Sequence, residues 1–147
     1  MKASSQAFAN HLGNCFYISM VNDPISDFLV RLQNASMVGK TRVTLPRSQI
    51  KLAIADILCR EGYIGEVDKK SKDINFTVSL LYVNNRPKVS GFKRISKPSR
   101  RMYLGVRDVK PVKRGHGILV LSTPAGILTG KEAQIKRVGG EALFEIW

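Results

Sequence analysis

The chain has 147 residues, 44% of them hydrophobic, which is enough for a core and argues against a disordered segment. Lys and Arg number 24 against 11 acids, giving +13 and a pI near 10.2, an excess that suits a polyphosphate or an anionic membrane surface as partner and says nothing about fold. No apolar run approaches ~20 residues, so nothing reads as a membrane-spanning helix, and Cys15 and Cys59, far apart and without C-x-x-C spacing, read as free thiols of a reducing compartment.

Residues 1–19 hold one basic residue, Lys2, and no acid. Gln6, Asn10, His11 and Asn14 interrupt any apolar stretch, which argues against a secretory signal. Two readings stand: an organellar transit peptide, against which the lack of Arg counts, or an extension ahead of a start at Met20, which is preferred. Asn22, Asp23 and Pro24 then form a helix start, an Asx cap followed by Pro at the first helical position. Ile25, Phe28, Leu29 and Leu32 follow at helical spacing as a core face, with Arg31 and Asn34 off it. Gly39 punctuates, and residues 42–45 read as a short strand. A second helix starts around residues 46–48, buries Ile50, Ala53, Ile54, Ile57 and Leu58, and ends at Gly62.

Residues 63–67 read as a strand and 68–73 as a solvated charged turn. Ile74, Phe76, Val78, Leu80 and Tyr82 alternate as a half-buried strand does. Residues 84–87 turn the chain, and 88–96 give another strand. The predicted fold class is α+β in two small lobes. Residues 20–85 form a helix-strand-helix-strand-strand lobe, and residues 86–147 a mostly β lobe with a short helix.

Residues 86–114 carry 11 basic residues against one acid, Asp108. Such a density implies several phosphate contacts and an affinity that falls steeply with salt. Within it lie Arg94, Ser96, Lys97, Arg100 and Arg101, on a connector that Pro98 keeps out of a helix or central strand. Tyr103 beside them either stacks on a base or ribose, or packs half-buried.

Residues 118–121 are a buried apolar strand that runs into Ser122, Thr123, Pro124, Ala125 and Gly126, a tight hydroxyl-bearing loop. Those hydroxyls either cap their own backbone or meet a phosphate- and sugar-rich partner. Thr129 caps a short helix, residues 131–138, that ends at Gly139 and Gly140. Glu141 leads into a last strand, residues 142–147.

The string S-T-x-x-G-x-x-T, a short helix, then G-G-E resembles the C-terminal signature of the bacterial-type small-subunit ribosomal protein eight family. Ser122, Thr123, Gly126, Gly140 and Glu141 match it in place. Pro124 stands where the family usually has a second Ser. Residues 23–35, D-P-I-x-D-x-L-x-R-x-x-N-A, resemble the family's start and bring Asp23, Pro24, Arg31 and Asn34 into the candidate surface. The connector is similar to the family's R-x-S-x-P-G-x-R-x-Y, with Ser99 replacing Gly. The resemblance covers nearly all of residues 20–147. It implies a structural constituent of the small ribosomal subunit that binds the central domain of small-subunit ribosomal RNA and helps assemble it. It also implies contacts with neighbouring ribosomal proteins, no cofactor and no small-molecule substrate. The implied setting is a bacterial-type cytoplasmic ribosome, with a mitochondrial or plastid ribosome as the alternative.

Catalytic chemistry has no footing in the residues. His11 and His116 lack partners at metal-ligand spacing, and neither a G-x-S-x-G elbow nor a P-loop occurs. A competing reading takes residues 22–82 as a winged-helix DNA-binding regulator. Its recognition helix would be residues 48–61, which offer Lys51 and Arg60 against Asp56 and Glu61.

Overall fold

The structure is a computed structural model that describes residues 23–69 and 74–147. The expectations for the leader, for Asn22 as a cap, for His11 and Cys15, and for the charged tip at residues 70–73 lie outside these residues.

Helix α1, Pro24–Met37, starts as its sequence dictates. Asp23 is the N-cap and accepts from the N–H groups of Ile25 and Ser26 at 3.2 and 3.3 Å, and Pro24 opens the first turn. Strand β1, Arg42–Pro46, leads to α2, Gln49–Arg60, and Gly62 at φ +75° turns the chain out of that helix. Strands β2, Ile64–Asp68, and β3, Asn75–Leu80, complete an antiparallel sheet in the order β1-β3-β2. A minimal hairpin follows, β4 (Tyr82–Val83) and β5 (Arg86–Pro87). Asn84 and Asn85 both take positive φ, as a two-residue turn of this hand requires.

The second sheet is antiparallel, ordered β6-β10-β8-β9. It comprises β6 (Phe92–Arg94), β8 (Ile118–Thr123), β9 (Gly126–Thr129) and β10 (Gly140–Ile146), with β7 (Tyr103–Leu104) pairing the start of β10. Helix α3, Gly130–Ile135, is fixed by a capping box in which Thr129 and Glu132 exchange hydrogen bonds.

The apolar run of β8 is buried on both faces. Ile118 and Val120 join a cluster with Phe28, Leu32, Ile54, Leu58, Phe76 and Phe144, so both sheets and helices α1 and α2 share one core. Leu119 and Leu121 face a smaller cluster with Val109, Val112, Ala133 and Ala142. Three polar ties span the same junction. Arg94 pairs with Asp23 at 2.9 Å, Arg60 with Glu132 at 2.7 Å, and the Tyr63 hydroxyl donates to the His116 carbonyl at 3.0 Å. Burial, with the charge of Glu61 adding, lifts the Tyr63 phenol above its ordinary value.

Several sequence expectations change. Ile50 and Ala53 are only half-buried, while Lys51 and Ala55 take the inward positions of α2. Ile74 is 84% exposed, because it lies one residue before the last paired position, Asn75 opposite Pro46, where the sheet ends. The strand expected over 88–96 shrinks to β6. Ser90 and Gly91 instead donate their N–H groups to the Trp147 carbonyl. Helix α3 ends before Gly139, and Arg137 at φ +53° makes the left-handed exit.

Candidate nucleic-acid interface

The β8–β9 hairpin turns on Pro124 and Ala125, with Thr123 opposite Gly126. Ser122 and Thr123 are strand residues, a correction to their expected place in the loop. The Thr123 hydroxyl donates to the Gly126 carbonyl at 2.8 Å and accepts from the Ala125 N–H at 3.2 Å. It is therefore consumed in its own turn, and the residue is buried. Gly126, at φ +107°, holds the turn's left-handed position. Ser122 differs: it is half-buried, and its hydroxyl has no partner among the described residues.

Register builds a row across the sheet. Tyr103 on β7 lies opposite Glu141 on β10, Glu141 opposite Ser122 on β8, and Ser122 opposite Ile127 on β9. Directly opposed residues share a face, so sequence positions up to 38 residues apart become neighbours. Tyr103 is 69% exposed, which removes the packing reading for its ring. Gly140 makes the row possible. A Cβ there would lie 2.2 Å from the Ser122 carbonyl oxygen, and one on Gly139 would lie 2.8 Å from that of Leu104.

Glu141 anchors the basic connector. Its carboxylate accepts from the Ser96 hydroxyl and from Arg101 Nη1, at 3.1 and 3.0 Å for the two oxygens. Ser96 is fully buried, which corrects the picture of an exposed connector at that position. Lys97 and Arg100 exchange backbone hydrogen bonds around Pro98 and Ser99, and both project into solvent beside the row. Ser99 does not adopt positive φ, so this turn does not depend on glycine.

Arg94 is not free to meet a partner. Its side chain is 11% exposed, holds Asp23, and donates to the Leu143 carbonyl. Asp23 is thereby a cap and an ion-pair acceptor, beside exposed Pro24. Arg31 pairs with Asp27 at 2.8 Å, and Asn34 lines a separate groove with Arg31, Lys40 and Arg42. None of these four α1 positions joins the row. The other ten basic residues over 86–114 are exposed, and among the described residues only Arg101 of these has an acidic partner. The one acid there, Asp108, accepts from the Gly105 N–H.

The α2 face needed by a DNA reader is missing. Lys51 is buried on Asp27 at 3.4 Å, and Arg60 holds Glu132. Among the described residues no group of three His, Cys, Asp or Glu side chains is placed to hold a metal, and no helix is long and apolar enough to cross a membrane.

The family model for ribosomal protein S8 matches residues 23–147. The chain belongs to the ribosomal protein S8 family. S8 proteins are structural, non-enzymatic components of the ribosome. The chain is 47% identical over 128 residues to the small ribosomal subunit protein uS8 of Nitratidesulfovibrio vulgaris (strain DSM 19637 / Miyazaki F), covering 87% of this chain and all of the relative. To the uS8 of Persephonella marina it is 43% identical over 136 residues, covering 87% and 100%. To that of Chloroflexus aggregans it is 44% identical over 131 residues, covering 86% and 98%. Sequence reasoning found the S8 motifs but could not tell Thr123 from Ser122. Both are hydroxyl residues in one motif, and only register and turn geometry separate them.

Proposed function

We propose that this S8-family chain is a structural constituent of the small ribosomal subunit that binds the central domain of small-subunit ribosomal RNA and helps it fold. Residues 86–147 are the RNA-binding lobe and residues 20–85 the lobe that buttresses it. The observation that carries the reading is the row Tyr103–Glu141–Ser122, flanked by Lys97, Arg100 and Arg101. It joins an exposed ring, an unpartnered hydroxyl and a set of cations, which are the groups that meet base, ribose and phosphate of an irregular RNA stem.

In this reading Ser122 contacts the RNA, Tyr103 stacks, and Lys97, Arg100 and Arg101 neutralise phosphates. Ser96 and Glu141 hold the basic turn in place. Pro124, Gly126 and Gly140 shape the hairpin. Pro124, with no hydroxyl and no N–H, presents only its ring at the tip. Neighbouring small-subunit proteins are its other partners, and the bacterial uS8 relatives favour a bacterial-type cytoplasmic ribosome.

The test is filter binding of a central-domain stem against duplex DNA across a salt series. Neutralising Lys97, Arg100 and Arg101 together should flatten the slope of log affinity on log salt by about 0.7–0.9 per lost phosphate contact. An unchanged slope, or equal affinity for duplex DNA, removes the assignment.

A further inference from the structure

The C-terminal sheet has a second basic end. β8 runs six residues from Ile118 to Thr123, so its start lies roughly 17 Å from the hairpin, at ~3.3 Å per residue. An open groove of about 520 Å³ sits at that start. Lys88, Lys131 and the loop that carries Lys113 and His116 reach its walls from three separate places in the chain, and all four side chains are exposed, while the only acid in the lining is Glu61. Trp147 forms part of the same wall, with the Lys113 ammonium 4.6 Å from its ring centroid.

The wall is held rigidly. Gly91 lies against the indole so closely that a Cβ there would sit 3.1 Å from the ring. The Trp147 carbonyl takes hydrogen bonds from Ser90 and Gly91 at 2.8 and 3.0 Å. Tyr63, also in the lining, ties down the loop of Lys113 and His116 through its bond to the His116 carbonyl. Lys113, Arg114 and Gly115 are three successive positive-φ residues, an arrangement kept only where the surroundings enforce a loop's shape. None of these residues takes part in the Tyr103–Glu141–Ser122 row.

We propose that this groove is a second RNA site, for the phosphates and an unpaired base of a single-stranded segment distinct from the stem held at the hairpin. The proposal rests on the RNA-binding reading above. Lysines interleaved with an aromatic ring are the pattern that binds single strands, charge for the backbone and a π-face for a base. An acidic peptide would use the lysines and leave the indole idle. Lys113 links the two: it leaves the ring for a phosphate, and a base covers the face it vacates.

Trp147 is the only tryptophan in the chain, so its fluorescence reports this groove alone. A short oligouridylate is titrated at low salt into the full chain and into two variants. The first, Lys88→Ala with Lys131→Ala, leaves Lys113 and the ring's baseline in place. The second, the hairpin variant, is Ser122→Ala on the hairpin with Arg100→Ala on the turn around Pro98 beside it. The expected result is a saturable change in the full chain, weakened at least ~tenfold in the lysine variant and kept in the hairpin variant. No saturable change, or one that survives the lysine substitutions, overturns the proposal. So does a polyglutamate peptide that binds more tightly than the oligouridylate, since the groove would then take a protein segment. Stem affinity of the hairpin variant is measured alongside. If it stays at the full chain's level while the groove signal holds, the hairpin reading falls and this one stands.

Discussion

The surroundings of helix α1 and the turn around Pro98 both hold several cations and use them in opposite ways. On α1 and its neighbours the cations are spent internally: Arg31 and Lys51 share Asp27, and Arg94 closes on Asp23. Around Pro98, Lys97 and Arg100 stand in solvent, and only Arg101 is tethered, to Glu141. A count of charges in the sequence does not separate the two groups. What separates them is whether the fold brings an acid within reach. The contrast assigns structural work to the first set and partner binding to the second, and substitutions can break it.

The largest effect is expected where the proposed RNA site and the backbone of the sheet coincide. Gly140→Ala puts a Cβ 2.2 Å from the Ser122 carbonyl oxygen, and backbone, unlike a flexible side chain, cannot step aside. A loss of about 3 kcal/mol is expected in urea unfolding. Wild-type stability would mean that β10 and β8 do not approach so closely.

Next comes the internal set. Asp27→Ala leaves the Lys51 ammonium, with a side chain only 6% exposed, without its acid. The expected cost is about 2 kcal/mol, below that of a fully buried pair because Asp27 is itself 19% exposed. Lys51→Met removes the charge together with its need for a partner and should be nearly neutral. Stem affinity should follow neither change. If Lys51→Met weakened nucleic-acid binding, the contrast would fail and the α2 face would regain a claim to recognition.

Arg94 and Arg100 represent the two sets with the same side chain. Arg94→Gln should cost about 1 kcal/mol of stability, since it breaks a largely desolvated pair that ties β6 to the N-cap of α1. Arg100→Gln should leave the melting temperature unchanged and lower stem affinity in a salt-dependent way. Equal behaviour of the two variants in both measurements would erase the distinction.

What could be read from the sequence follows the range of the interactions involved. Asp23 and Pro24 announce α1 because a cap is settled within four residues. The alternation of Phe76, Val78 and Leu80 announces β3 because each residue reports its own burial. Ile74 fits the same alternation and fails, since where a sheet stops depends on its partner strand. Arg94 and Ser96 read as surface ligands because their acceptors, Asp23 and Glu141, are 71 and 45 residues away. The row from Tyr103 to Ser122 exists only through the register of β7, β10 and β8. The motif named its members without showing that they meet.

The smallest effect is the most discriminating, because it divides two adjacent hydroxyls. Thr123 donates to Gly126 and accepts from Ala125 inside its own turn. Thr123→Val keeps the shape and removes both bonds, so it should cost about 1 kcal/mol of stability. Stem affinity of the folded fraction should be unaltered. Ser122 has no such bond, so Ser122→Ala should leave unfolding within about 0.5 kcal/mol of the parent. In the complex, however, an RNA group would lose its partner in a dehydrated interface. That loss is worth about 1 kcal/mol or more, roughly a fivefold weaker stem. Unfolding and filter binding on the two single variants therefore give opposite patterns. The reverse assignment, with affinity following Thr123 and stability following Ser122, would mean that the turn rearranges on binding and frees the Thr123 hydroxyl. If affinity followed neither residue, contact would pass to the cations and to Tyr103, and the hairpin would serve only as the edge that holds them.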